Sequence, residues 1–360
     1  MKSDRSLDVV IVGLGRVGRA LAKQIQKADS QLRIVGLADR GGLLYHERGL
    51  SASLVDEALS AKAEGSSIGI CPSALPPIYR FSDLATSRTL FVDATAASGM
   101  AAGWCEVLAS SGAAGVVLAN KLPLCEAWSV SGPLFNHPRV RYEATVGAGL
   151  PILSTLRSLL ATGDLVTRMR GALSGTLGYL VNQVSEGHAF SAALSDAIAL
   201  GYAEPDPSAD LGGRDVARKA VILSRAVGWP AELSDVERDG LVPDSDAYQG
   251  APSADYSSAD RKLKELFADA DCDGIAIRYL AQITPERISV GLARIDLHDP
   301  FAALAGTENR IAIHTRRYPI HPLAIAGPGA GPETTAAGVL SDLIDLAEKS
   351  KLRGENPCPC

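Results

Sequence analysis

The sequence predicts an α/β protein of two domains, and three observations carry that prediction. An apolar run, Asp8-Val9-Val10-Ile11-Val12, meets a glycine turn, Gly13-Leu14-Gly15-Arg16-Val17-Gly18, which opens directly into the helical stretch Arg19–Ile25. Strand-like and helix-like segments then alternate to about residue 145, the pattern of a doubly wound sheet. With 360 residues there is chain enough for a second core, and residues 146–322 supply it. A late helix over 328–350 is expected to return to the first domain, leaving 351–360 as a flexible tail.

Each early element has a local reason. The first strand is apolar throughout, as a strand buried on both faces must be. Gly13 permits the tight turn, Gly15 lets a pyrophosphate approach the backbone, and Gly18 lets helix and strand pack closely. Val17 shares that turn; Arg16 either reaches the pyrophosphate or lies in solvent. This is the opening of a Rossmann-type nucleotide-binding domain. The second strand, Arg33–Ala38, ends at Asp39, roughly twenty residues past the last glycine, where a carboxylate can accept from both ribose hydroxyls and favour NAD. Arg40 follows and would instead suit the 2′-phosphate of NADP. A further strand, Leu90–Thr95, ends in small residues, Thr95 and Ala96, at the carboxyl edge where open α/β sheets bind ligands. The glycine run 327–331 precedes the apolar helix Thr335–Ile344, and Gly331 is its best candidate to face the cofactor.

Composition excludes several classes. The chain is 46% hydrophobic with a net charge of -6, so it folds around cores and has no electrostatic call on nucleic acid or an anionic membrane. Its longest apolar runs have strand length, and no membrane span is expected. Residues 1–8 hold Asp4 and Asp8 and run straight into a strand, so no signal peptide is expected and the location reads as cytoplasmic. The six cysteines have no repeated spacing and are read as reduced. Cys358 and Cys360 are read as part of the frayed tail.

The richest segment runs from Gly201 to Lys219. Gly and Pro make 201–213 irregular, and the following DVARKAVILSRAVG is helical, with Val216, Ala220, Leu223 and Val227 on one face. Glu204, Asp210, Asp215 and Lys219 gather there, and Asp215 and Lys219 stand one turn apart. The same spacing serves ordinary surface ion pairs. Asp210 is either a ligand contact or the N-cap of the helix beginning near Gly212 or Gly213. Asp206, between prolines, reads as a loop residue. Within the second domain, residues 229–262 look like a linker or exposed excursion, and 273–318 like strands.

Four further segments are specific: Ala119-Asn120-Lys121-Leu122-Pro123, then Tyr142-Glu143-Ala144-Thr145-Val146-Gly147-Ala148-Gly149-Leu150-Pro151-Ile152, then Gly171-Ala172-Leu173-Ser174-Gly175-Thr176-Leu177-Gly178-Tyr179, and Gly327–Gly338. In this order, with the opening turn, they resemble the homoserine dehydrogenase family from about residue 8 to about residue 347. The resemblance implies a nucleotide-binding domain, an α+β substrate domain with a mixed sheet, and a homodimer formed through the middle of the chain. It implies reversible NAD(P)-dependent reduction of L-aspartate 4-semialdehyde to L-homoserine, within threonine and methionine biosynthesis. It also implies Lys219 as the proton-transferring group with Lys121 close to the reacting centre. Glu204 and Asp215 would take the substrate ammonium, with Gly175, Thr176 and Tyr202 also on the substrate and Gly201 on the cofactor side. A structural sodium ion would sit on the main-chain oxygens of Glu143, Val146, Ala148 and Leu150. No ACT or aspartate kinase domain is recognised, so threonine feedback is not expected. A dehydrogenase of another small amino or hydroxy acid and a non-catalytic dinucleotide-binding regulator are the alternatives; activity on homoserine discriminates them.

Overall fold

A computed structural model describes residues 6–28, 31–77, 80–110, 112–203, 207–242 and 256–355. The chain divides into two compact units, residues 1–149 with 331–360, and residues 150–330.

The first unit begins β1 (Leu7–Val12), α1 (Arg16–Lys27), β2 (Leu32–Asp39), β3 (Gly42–Tyr45) and α2 (Ala52–Ala63). It continues with β4 (Thr89–Asp93), α3 (Ala101–Ser110), β5 (Gly115–Leu118), α4 (Trp128–Asn136) and β6 (Val140–Arg141). Strand order is β3-β2-β1-β4-β5-β6. All neighbours are parallel except the β2/β3 hairpin. The order reverses between β1 and β4, the switch point at which such sheets open a ligand crevice. Val9, Val10 and Ile11 of β1 and Leu90, Phe91 and Val92 of β4 are fully buried, which is why these strands read as unbroken apolar runs.

The second unit holds α5 (Ile152–Ala161), β7 (Val166–Ala172), α6 (Gly175–Ser185), α7 (Phe190–Ala199), α8 (Ser208–Leu211) and α9 (Arg214–Ala226). It then adds β8 (Glu237–Arg238), α10 (Ser257–Cys272), β9 (Ile275–Ile283), β10 (Ile288–Asp296), β11 (Glu308–Thr315) and β12 (Leu323–Pro328). Strand order is β12-β11-β7-β9-β10-β8. The pairs are antiparallel except β8 beside β10, so this sheet is mixed. The final helix, α11 (Pro332–Glu355), belongs to the first unit, where Ala336, Val339, Leu343 and Leu346 share one core with Val9, Ile11 and Leu21. Polar ties reinforce it: Arg141 Nε donates to Asp345 at 2.6 Å and the Glu143 amide to Asp342 at 2.8 Å.

Two segments differ from the sequence reading. Residues 229–262 are not all linker, because β8 pairs inside them and α10 starts at Ser257; residues 243–255 lie outside the described residues. The polar surface of α10 hid a helix whose apolar side, Ala259, Leu263 and Ala270, is buried. The last helix runs to Glu355, so 351–355 are helix rather than tail; Cys358 and Cys360 lie outside the described residues.

Candidate functional site

In the first unit the glycine turn fills the switch point. Gly13 has φ 96°, and a Cβ there would lie 2.7 Å from the backbone of Ala94 and Thr95, so the loop after β4 is pressed onto the turn after β1. At Gly18 a Cβ would come within 2.0 Å of the Gly13 carbonyl oxygen, which fixes how closely α1 approaches the turn. Gly15 is exposed, and a Cβ there would meet nothing within 4 Å. It is the N-cap of α1, which has no side-chain cap and no acid in its first turn. The amides of that end and the positive pole of the helix are therefore offered to an anion, as a pyrophosphate requires. Arg16 is exposed and Val17 half-buried beside it.

Asp39 lies at the predicted strand end, but protein groups surround its carboxylate. Oδ1 accepts from the amides of Gly41 (2.8 Å) and Gly42 (3.2 Å), and Oδ2 from Lys62 Nζ (2.7 Å) and the Ile68 amide (3.1 Å). Burial works against its ionisation, yet the bonds from Lys62, Ile68 and Gly41 outweigh burial and hold the carboxyl below its usual range. Arg40 beside it is exposed. Lys62 was invisible in the sequence, since nothing local links position 62 on α2 to position 39.

Thr95 and Lys121 follow neighbouring strands of this sheet. Thr95 donates through its amide and hydroxyl to Asp93 Oδ1 at 3.0 and 2.7 Å, and Ala96 is exposed. Half-buried Lys121 precedes the short 3-10 turn Leu122–Cys125. Gly331, with φ 119°, begins the approach to α11, where its carbonyl accepts the hydroxyls of Thr334 (3.0 Å) and Thr335 (2.7 Å).

The second unit gathers another group. Lys219 is buried in the middle of α9, and its ammonium donates to the Leu173 carbonyl at 2.6 Å and pairs with Asp215 Oδ2 at 2.8 Å. Two of its three N–H donors are thus spent on a helix-turn partner and on the end of β7. Leu173 leads directly into Ser174, whose hydroxyl caps α6 by accepting from the Leu177 amide, and so into Gly175 and Thr176. Thr176 Oγ1 donates to the Tyr202 carbonyl at 2.6 Å. The Tyr202 ring meets Tyr179 edge-on, with centroids 5.2 Å apart. Lys219, Asp215, Gly175, Thr176 and Tyr202 are therefore linked by a short chain of contacts. Gly201, at φ 74°, ends α7, and its exposed backbone carries the chain into this group.

Asp210 is not the N-cap of α9: that position belongs to Gly213, at φ 71° and without a side-chain cap, and Asp210 instead lies in the short α8. The left-handed φ of Gly213 suits glycine, and a Cβ there would also meet the Tyr279 hydroxyl at 2.1 Å. Glu204 and Asp206 lie outside the described residues.

For a monovalent cation the test is whether main-chain oxygens are offered. Gly147 (φ 79°) and Ala148 (φ 56°) adopt the left-handed region in succession, an uncommon conformation for alanine that turns consecutive carbonyls. The Glu143 and Leu150 carbonyls each accept one backbone N–H, at 3.4 and 2.8 Å, and a carbonyl has two lone pairs. Glu143, Val146 and Ala148 belong to the first unit and Leu150 to the second. Main-chain oxygens are the donor type a hard ion takes; among the described residues no cluster of His, Cys, Asp and Glu is arranged to hold a metal.

Comparison with known proteins adds four findings. A family model described as homoserine dehydrogenase matches residues 151–344. The chain is 36% identical to the chloroplastic bifunctional aspartokinase/homoserine dehydrogenase 2 of Zea mays, over 96% of this chain but only 39% of that protein. It is 33% identical to the homoserine dehydrogenase of Saccharomyces cerevisiae, over 96% of this chain and 99% of the other. Among solved structures, a hyperthermophilic archaeal homoserine dehydrogenase mutant in complex with NADPH superposes with a TM-score of 0.74 at 25% identity, covering 96% and 98% of the two chains.

Proposed function

The chain belongs to the homoserine dehydrogenase family, and from that premise we propose that it interconverts L-aspartate 4-semialdehyde and L-homoserine with NAD(P) as cofactor. This step feeds threonine and methionine biosynthesis. The observation that carries the reading is the buried Lys219 ammonium, held by Asp215 and the Leu173 carbonyl beside Gly175 and Thr176.

When bound, the nicotinamide supplies the hydride for the aldehyde carbon or removes it from the alcohol. The chain's residues do the rest. Hydride addition turns the carbonyl oxygen into an alkoxide, and Lys219 gives that oxygen its proton; in the reverse direction Lys219 takes it back. Lys121 contributes positive charge to the same oxygen. Asp215 keeps the Lys219 side chain in one rotamer and, with Glu204, accepts the substrate ammonium; Asp210 adds negative charge to that loop. Gly175 and Thr176 offer an amide and a hydroxyl to the substrate, and Tyr202 donates a hydrogen bond to it. Gly13, Gly15, Gly18 and the α1 N-terminus take the pyrophosphate. Purified protein should oxidise NADPH or NADH with aspartate semialdehyde and reduce the oxidised form with homoserine. Saturable cofactor binding without turnover of either substrate would instead support the regulator.

On the choice of cofactor, the ties from Asp39 to Lys62 and three backbone amides support NADP over NAD. A carboxylate so engaged is a poor acceptor for ribose hydroxyls, and the exposed Arg40 provides positive charge for a 2′-phosphate. Arg40→Ala should raise the KM for NADPH roughly tenfold and leave that for NADH nearly unchanged. An equal rise for both would discard the assignment.

A sodium ion on Glu143, Val146, Ala148 and Leu150, a homodimer, and a cytoplasmic location complete the proposal. The left-handed pair Gly147–Ala148 supports the first, the family resemblance the second, and the absence of a repeated cysteine spacing in the sequence the third. Melting temperature in sodium against choline chloride, sedimentation equilibrium and cell fractionation test them in turn.

A further inference from the structure

Asp93 ends β4 with its side chain fully buried, a costly place for a carboxylate. Four donors converge on it: the Thr95 amide (3.0 Å) and hydroxyl (2.7 Å) on Oδ1, and Trp104 Nε1 (3.0 Å) and Asn120 Nδ2 (3.3 Å) on Oδ2. A carboxylate alone matches that set. An amide in its place would turn N–H groups against donors on one side. None of these four donors is a cation, so the groups that meet the buried carboxylate are neutral.

Three of the four donors sit on two loops, the one after β4 and the one after β5. Asn120 joins those loops directly, because Nδ2 also donates to Thr95 Oγ1 (3.2 Å) and to the Ala97 carbonyl (2.8 Å). Its Oδ1 accepts from the Leu122 amide at 3.0 Å, so the peptide that carries Lys121 is held on both sides. The backbone amides of Ala119 and Asn120 complete the join by donating to the Asp93 carbonyl at 2.9 and 3.0 Å.

We propose that Asp93 and Asn120 are positioning residues: a buried brace that locks the loop bearing Thr95 to the turn bearing Lys121. Both loops then present one fixed wall to the nicotinamide cofactor. The proposal rests on the dehydrogenase reading above for the roles of Thr95 and Lys121. Neither Asp93 nor Asn120 touches substrate in this account. Packed apolar residues would serve stability at least as well as a buried carboxylate, so what the brace contributes is geometry.

The test compares Asp93→Asn and Asn120→Ala with Thr89→Ala. Thr89 is also buried and hydrogen-bonded, but at the amino end of the same strand, away from both loops. For each protein the melting temperature, the NADPH dissociation constant by nicotinamide fluorescence, and kcat and KM are measured well below the transition. The brace variants should lose about a hundredfold in kcat, the scale of an ångström's misplacement of a reacting group. They should also bind NADPH about tenfold more weakly. Thr89→Ala should lower the melting temperature and keep both values within about threefold of wild type. Folded brace variants with wild-type kcat and NADPH affinity would overturn the proposal, as would equal kinetic losses in Thr89→Ala. Should Asp93→Asn fail to fold, Asn120→Ala decides, since it leaves the carboxylate three of its donors. Should the wild type bind NADPH and not turn over homoserine, the enzymatic reading fails while the affinity comparison still judges the brace.

Discussion

Lys219 shows how one residue's chemistry is set by its neighbours. An ammonium placed mid-helix would ordinarily reach for solvent, but here Lys219 is 8% exposed and pinned by Asp215 on its own helix and by the Leu173 carbonyl just past β7. Losing a positioned general acid typically costs about a hundredfold to ten-thousandfold in rate. Lys219→Ala should therefore lose kcat on that scale while binding NADPH normally; a variant turning over at the wild-type rate would remove Lys219 from the mechanism. Half of this arrangement was legible in the sequence, because the i,i+4 spacing puts Asp215 and Lys219 on one face of any helix. The other half was not. That the third party would be the Leu173 carbonyl, 46 residues earlier, follows from strand and helix packing and leaves no local trace. Asp39 repeats the lesson, since its place at a strand end was readable and its partner Lys62 was not.

Among the elements, the turn between β1 and α1 is the most tightly specified. Its glycines could be assigned separate duties from spacing alone; in the structure Gly13 lies against the β4 loop and Gly18 against Gly13, while Gly15 has open space around it. Gly18→Ala would place a methyl 2.0 Å from the Gly13 oxygen, so α1 must move outward. We expect a loss of stability of about 1–3 kcal/mol and an NADPH dissociation constant raised by a similar free energy. Calorimetry and fluorescence titration would show this, and an unchanged pair of values would mean that the helix has slack. Gly15→Ala, with open space around it, should leave stability nearly alone and weaken cofactor binding. Other elements were harder to read. Seven of the sixteen residues of α10 are charged, so its apolar side is narrow, and the short β8 has no period of its own. Both depend on what they pack against rather than on local preference.

For the molecule as a whole, the response to acid follows from where its carboxylates sit. Burial opposes ionisation of Asp39, Asp299 and Asp345, but hydrogen bonds and charge from Lys62, from Arg170, and from Lys349 with Arg141 respectively hold all three below the usual value of 3.8. A lowered folded value means the stabilisation is fully present above 3.8 and is lost as pH falls through the folded values. Burial, with the charges of Arg168 and Arg170 beside it, lowers His314 against the pull of the Pro319 carbonyl, so the native state resists its protonation and stability starts to decline below 6.5. Melting temperature should thus be flat from about pH 7 to about pH 8, slope gently downward through pH 6, and drop steeply below pH 4; Asp345→Asn should soften the acid limb, and a melting temperature that rises on acidification would contradict the assignment. By itself the sequence determined the alternation of elements in the first 145 residues, the glycine turn, and the family to which the ordered motifs belong. Those are local properties: hydrophobic period, conformational freedom and short spacings are written along the chain. Only the tertiary structure decided that Asp93 would hold two loops together, that Lys62 would occupy Asp39, and that Lys219 would be buried against the end of β7. Such contacts join residues far apart in the chain, and their energy comes from burial and donor–acceptor matching that exists only after the sheets have formed.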